Sequence, residues 1–146
     1  MNIQELHKIF VSNPVISTDT RKIEQGSIFF ALNGANFDAN KFVVEALQKG
    51  AAYAVADDRE LAKLNDNRII LVENVLLTLQ ALARYHRDTM NIPVLAITGT
   101  NGKTTTTWVL SEFLTAAGRR CGYVTTVEVY TGGRRFSTGY TTPPLD

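Results

Sequence analysis

The chain has little cysteine, little histidine, almost no net charge and no long apolar run. One cysteine, Cys121, stands in 146 residues, so no internal disulfide can form. Cys121 opens an apolar stretch, and its expected place is a buried core thiol rather than a nucleophile. The two histidines, His7 and His86, lie far apart in sequence and lack the neighbours a metal site needs. His86 falls near a helix C-terminus, where a solvated or dipole-facing imidazole is expected. His7 is expected on an exposed, inert face. Fifteen Lys and Arg balance fourteen Asp and Glu to a net charge of +1, which gives no basic surface for nucleic acid. No apolar run approaches the ~20 residues of a membrane helix. The N-terminal Met1-Asn2-Ile3-Gln4-Glu5 lacks the basic-then-apolar order of a secretory signal. Neither nucleic acid nor membrane is an expected partner, and a reducing cytoplasm is the expected compartment.

What is present is a globular balance, 45% hydrophobic and 20% charged. The length suits one domain, or a small domain and part of another. The stretch that organises the rest is Val94-Leu95-Ala96-Ile97-Thr98-Gly99-Thr100-Asn101-Gly102-Lys103-Thr104-Thr105-Thr106-Thr107. A β-branched apolar run ends at Thr98, a loop with two glycines follows, and Leu110, Phe113, Leu114 and Ala117 then recur at helical spacing. Strand, glycine loop, Lys-Thr and helix make the phosphate cradle of a P-loop. Gly99 and Gly102 allow close backbone approach, and the N–H groups of Thr100 and Asn101 can point at an anion. Lys103 supplies charge against β- and γ-phosphates, and the Thr104 hydroxyl is the expected Mg²⁺ ligand. Thr105 can also reach a phosphate. Ile97 stands where the general pattern has its first glycine, so the match is to the shorter Gly-Thr-Asn-Gly-Lys-Thr.

Along the chain, Ile3, Leu6 and Phe10 predict a short opening helix that Asn13-Pro14 ends. A loose edge strand is expected over 15–20 and a doubly covered strand over 27–32. Asn40 is expected to cap a helix with Val43, Ala46 and Leu47 inward and Gly50 as its terminator. Strands are expected over 51–56 and 69–72, with a short helix between them. Asn74 is expected to cap a longer helix lined by Leu76, Leu79 and Ala83. Alternating β and α elements predict a mostly parallel sheet covered by helices. Pro93 marks a domain boundary, placing one domain at 1–90 and a second at 91–146. In the second, 121–124 is expected to neighbour the loop's strand, and 127–130 and 135–137 flank Gly132-Gly133 as a hairpin. The fold class is therefore α/β: a small N-terminal α/β domain followed by the first part of a P-loop α/β domain. Two strands and a hairpin leave the second sheet unfinished, which suggests a truncated or chimeric chain and an edge open to self-association.

The loop Gly99-Thr100-Asn101-Gly102-Lys103-Thr104-Thr105 resembles the ATP loop of the Mur ligases, which build the UDP-muramoyl peptide precursor of peptidoglycan. The same loop occurs in folylpolyglutamate synthase. Ser17-Thr18-Asp19-Thr20-Arg21, the stretch from Gly26 to Gly34, and Phe37-Asp38-Ala39-Asn40-Lys41-Phe42 resemble the family's N-terminal UDP-binding domain, closest in wording to the D-alanyl-D-alanine-adding ligase. Gly122-Tyr123-Val124-Thr125-Thr126-Val127-Glu128 and Thr141-Thr142-Pro143 look like the third-residue-adding ligase, with Tyr140 where an Asn is usual and Pro144 where an Asp is usual.

The resemblance implies uridine contacts at Thr18, Thr20, Ala35, Asn36 and Phe37, ATP contacts from Gly99 to Thr105, and muramoyl contacts at Thr141 and Thr142. It implies ATP and Mg²⁺ as cofactors, and UDP-MurNAc-peptide with an amino acid or dipeptide as substrates. The family's chemistry is phosphorylation of the substrate carboxylate followed by amide formation, with Lys103 stabilising the transferred charge. Its acidic Mg²⁺ ligand, histidine, modified lysine and C-terminal domain have no counterpart here, so no turnover is expected of this chain alone. The alternatives are a UDP-sugar-binding module without catalysis and a generic P-loop NTPase. Asp19 and Arg21 form an ion pair or touch ligand, Arg134 and Arg135 are expected in solvent, and Trp108 is expected to pack rather than stack on a base.

Overall fold

The structure is a computed structural model and describes residues 1–34 and 37–137. The chain divides into two compact units, with Asn91 the last residue of the first stretch and Ile92 opening the second.

The first unit is a four-stranded parallel sheet in the order β1-β2-β3-β4: β1 Ile16–Ser17, β2 Ile28–Phe30, β3 Tyr53–Ala56 and β4 Ile69–Leu71. Helices α1 (Ile3–Ser12) and α3 (Val75–Thr89) share one core with the sheet, and α2 (Val43–Gln48) packs into the other. The strands alternate between these cores. Ile28, Phe30 and Val55 lie with Leu6, Leu79 and Leu82, whereas Phe29, Ala54 and Ala56 lie with Val43, Ala46 and Leu47. The alanines on the α2 side let that short helix come close to the strands. All three β2 side chains are buried, as expected of a strand covered on both faces.

Local chemistry explains the boundaries. Asn2 and Glu5 form a reciprocal capping box at the start of α1. The Asn74 side chain accepts from Leu77 N at 2.8 Å and caps α3, as expected. The inward stripe of α3 differs from expectation. Val75, Leu79 and Leu82 are buried, while Leu76 is 46% exposed and Ala83 lies on the surface. Either stripe fits a 3.6-residue period, and the direction from which α1 packs selects the one that is buried. The Asn40 expectation is also corrected. Asp38 caps the 3₁₀ turn Ala39–Phe42 that leads into α2, and the Asn40 side chain turns to Asp57 instead.

Gly50 follows α2 with φ +113°, where a Cβ would also overlap the Gln25 carboxamide. The backbone φ is the harder constraint, since the Gln25 side chain can move aside. Gly50→Ala is expected to cost about 1–3 kcal/mol and lower the melting temperature by several degrees. A melting temperature within about one degree of the parent would show that the backbone relaxes to negative φ.

The second unit holds α4 (Lys103–Ala116) and a three-stranded antiparallel meander of β5 (Tyr123–Val124), β6 (Glu128–Tyr130) and β7 (Arg135–Ser137). The hairpin across Gly132-Gly133 forms as expected, with Gly132 at φ +71°. Three expectations are corrected here. Among the described residues, 94–98 form no strand, and Val94 and Leu95 are 66% and 68% exposed. A β-branched run becomes a strand only where a neighbour completes its ladder. Residues 123–124 pair antiparallel with β6 rather than beside the loop's segment. Phe113 is 70% exposed, and Ser111 is the buried residue of α4.

Candidate functional site

In a parallel sheet all carboxyl ends open on one edge, the usual ligand edge of α/β sheets. In the first unit this edge carries Thr18 and Thr20 after β1, the loop from Asn33 after β2, Asp57 after β3 and Glu73 after β4. Thr18 and Thr20 are half-buried. Between them, Asp19 caps a 3₁₀ turn, and its carboxylate accepts from Arg21 Nε at 3.0 Å and from Nη2 at 2.7 Å. Of the two roles open to this pair, the structure contains the ion pair. The Thr20 carbonyl accepts from Lys49 Nζ at 3.0 Å, which ties this turn to the end of α2.

The Arg21 side chain, then its backbone N–H, hold the Asp19 carboxyl down to about 2 from an ordinary 3.8. Because the folded value is the lower one, the stabilisation it brings is present above the unfolded pKa and is lost as pH falls from about 4 toward 2. In carboxyl-carbon NMR titrations Asp19 is expected near 2, and Arg21→Ala is expected to return it toward 3.8. An unmoved titration would mean the guanidinium does not set it.

Gly34 and Phe37 close a small bridge, Gly34 N donating to the Phe37 carbonyl at 2.8 Å. Phe37 is 56% exposed and stacks on Phe42 with ring centroids 5.5 Å apart. Ala35 and Asn36, two of the expected uridine contacts, lie outside the described residues, as do Thr141 and Thr142. The sequence reading missed Asp57, whose carboxylate accepts from both Asn33 and Asn40 at 2.9 Å. Beside it, a groove of about 970 Å³ is lined by Asp57, Arg59, Val72 and Asn74 among others. An Asn-Asp-Asn trio spread over 24 positions has no local sequence pattern to reveal it.

In the second unit, Gly99 has φ +142° and Gly102 φ +78°, both conformations that L side chains avoid. Gly102 is the N-cap of α4 and offers no side-chain cap, and Thr106 N is the first to donate back, to Gly102 O at 2.8 Å. The N–H groups of Lys103, Thr104 and Thr105 are therefore left at the positive end of a 14-residue helix. Lys103 Nζ folds over the loop and donates to the carbonyls of Gly99 and Thr100. The Thr104 hydroxyl has no partner among the described residues. Uncapped amides, an ammonium and a free hydroxyl fit a nucleotide phosphate with its Mg²⁺. Among the described residues no cluster of three or more His, Cys, Asp or Glu could hold a metal, so Thr104 would bind one only together with phosphate oxygens.

Other expected roles shift. Cys121 is half-buried rather than a core thiol. His7 is not inert on an open face: its Nε2 lies 3.0 Å from His86 Nδ1, one ring donating and the other accepting, in a patch with Phe10 and Tyr85 that joins α1 to α3. Arg135 is not merely solvated, since it lies 3.7 Å from Glu128 and over the Tyr130 ring. Tyr123 donates to Glu128, and that bond with burial pushes its hydroxyl pKa up. Trp108 is 41% exposed.

A protein-family model described as "Mur ligase family, catalytic domain" matches residues 14–87, half of the chain. The chain belongs to the Mur ligase family. The match lies within the first unit and ends before the glycine loop. Whole-chain likeness extends further. The UDP-N-acetylmuramoyl-L-alanyl-D-glutamate–2,6-diaminopimelate ligase of Lawsonia intracellularis is 36% identical over 131 residues, 88% of this chain and 27% of that protein. The UDP-N-acetylmuramoyl-tripeptide–D-alanyl-D-alanine ligase of Buchnera aphidicola is 41% identical over 121 residues, 83% of this chain and 25% of that protein. Among solved Mur ligases, the MurF ligase of Thermotoga maritima in complex with ADP superposes with TM-score 0.57 at 33% identity, covering 70% of this chain and 23% of that one. The chain thus spans about a quarter of the Mur ligases it matches, and both branches expected from its motifs are among them. Among the described residues no helix is long and apolar enough to cross a membrane.

Proposed function

We propose that this chain carries the UDP-binding domain (1–90) and the first part of the ATPase domain (91–146) of a cytoplasmic, ATP-dependent amide ligase of peptidoglycan precursor synthesis. Its substrates are UDP-MurNAc-peptide and an amino acid or D-alanyl-D-alanine. The observation that carries the reading is the loop at the start of α4: two positive-φ glycines, uncapped helix amides and Lys103 poised over the same backbone. Mg·ATP supplies the phosphoryl group that activates the substrate carboxylate. Gly99 to Thr105 bind and orient the phosphates, Lys103 neutralises charge on them, and Thr104 holds the metal through its hydroxyl. Thr18, Thr20, Ala35, Asn36 and Phe37 bind the uridine end, and Thr141 and Thr142 the muramoyl end.

A second reading, a UDP-sugar-binding module without catalysis, is favoured by the unpaired and exposed segment before the loop. Thermal unfolding with UDP and with Mg·ATP, added separately, separates the two. Ligand at ~100 times its dissociation constant stabilises by about 2.7 kcal/mol. Stabilisation by both supports the ligase reading, stabilisation by UDP alone favours the module, and stabilisation by neither rejects both.

A further inference from the structure

Outside the Gly34–Phe37 bridge, the Asn33–Asn40 segment is held at both ends by side chains. Asn33 donates to Asp57 Oδ1 at 2.9 Å and accepts from Ala39 N at 2.9 Å. Asn40, only 7% exposed, donates to the same Asp57 oxygen at 2.9 Å and accepts from Asp57 N at 3.2 Å. The other carboxylate oxygen receives Val75 N, the first residue of α3, at 3.4 Å. One carboxylate therefore ties the loop after β2, the end of β3 and the start of α3. Both asparagines have their amide nitrogen and their carbonyl oxygen engaged, so rotating either would break two bonds.

We propose that Asp57 is a positioning residue for nucleotide recognition. It fixes Asn33 and Asn40, on either side of Phe37 at the carboxyl edge of the sheet, so that these residues are in place before a uridine nucleotide arrives. This rests on the proposed reading that the loop contacts uridine. The chemistry favours a carboxylate here. A single acidic oxygen accepts two amide donors at once while its partner oxygen faces a helix N-terminus, and bonds to a charged acceptor are the stronger kind. Without it, the exposed Asn33 amide, the buried Asn40 amide and the Val75 N–H lose their acceptor, and Asn33 and Asn40 must be placed at the expense of binding.

The test uses the 146-residue chain with UDP as the probe, read by calorimetry, together with amide exchange at Ala39 and Leu79. Asp57→Ala is expected to weaken UDP about tenfold or more, the size of one lost charge-assisted bond. It should speed exchange at Ala39 but not at Leu79 in α3, and leave Mg·ATP binding unchanged. Asp57→Asn keeps one acceptor oxygen for Asn33 and Asn40 but turns an amide donor toward Val75 N–H, so UDP binding should recover only in part, to between that of Asp57→Ala and the parent. Should Asp57→Ala fail to fold, Asn33→Ala at an exposed position decides, with a several-fold loss of UDP affinity expected. Parental UDP affinity in Asp57→Ala, or in Asn33→Ala where that variant decides, overturns the positioning role while the uridine reading stands. A parent chain that does not bind UDP overturns both.

Discussion

Phe30→Ala is expected to remove a large part of the stability of the first unit. Phe30 is 0% exposed in the second strand of the sheet, packed with Ile28, Val55, Leu79 and Leu82 between sheet and helices. Truncating a phenylalanine in such a place costs about 3–5 kcal/mol, the lost transfer of the ring plus the cavity that cannot fully collapse. Domains of this kind hold a total of about 5–15 kcal/mol. With a urea slope of about 1–2 kcal/mol per molar for a unit this small, the midpoint should fall by roughly 1.5 M or more. Phe37→Ala is the matched control. That ring is 56% exposed and, among the described aromatic rings, touches Phe42 alone, so its loss should stay within about 0.5 kcal/mol. A Phe30→Ala midpoint within about 0.5 M of the parent would mean that the α1–α3 core repacks around the gap.

Expectations from the chain order held where short-range chemistry decides the outcome. The buried run at 28–30, the Asn74 cap and the hairpin at Gly132-Gly133 are each fixed by residues within a few positions of one another. The parallel order of the first sheet followed from alternating elements, since parallel strands need crossovers. Expectations failed where a distant partner decides. Asn40 can cap a helix by its own local rules, yet Asp57, 17 residues on, takes its side chain. Leu76 and Ala83 fit the helical period as well as Val75 and Leu82, and the direction of α1 chose between them. His7 and His86 are 79 positions apart and meet because α1 and α3 cross the same sheet face. Residues 94–98 have β-forming character, but without a paired neighbour among the described residues they form no strand. The candidate loops themselves were legible because glycine at positive φ and an uncapped helix start leave local marks in sequence. The carboxylate network of Asp57 with Asn33 and Asn40 leaves none.

Lys103→Ala is expected to abolish most of the stabilisation that Mg·ATP gives. Among the described residues the exposed ammonium has backbone carbonyls of its own loop as partners, Gly99 and Thr100, and it can turn from them to a phosphate. A bond between an ammonium and an anionic oxygen contributes about 1.5–3 kcal/mol, which weakens ATP roughly 10- to 100-fold when it is removed. At an ATP concentration ~100 times the parent dissociation constant, stabilisation should drop from about 2.7 kcal/mol to roughly 0.4–1.4 kcal/mol. The variant should fold as the parent does, because this side chain is exposed and makes no cap bond to the helix start. UDP supplies the internal control: the residues proposed for it lie in the other unit, so its stabilisation should be unchanged by Lys103→Ala. Loss of both would point to a damaged chain, and an undiminished ATP shift would place the nucleotide away from this loop. Retained UDP stabilisation with lost ATP stabilisation is the pattern expected if residues 99–105 hold ATP, because positive-φ glycines, uncapped amides and an exposed ammonium converge there.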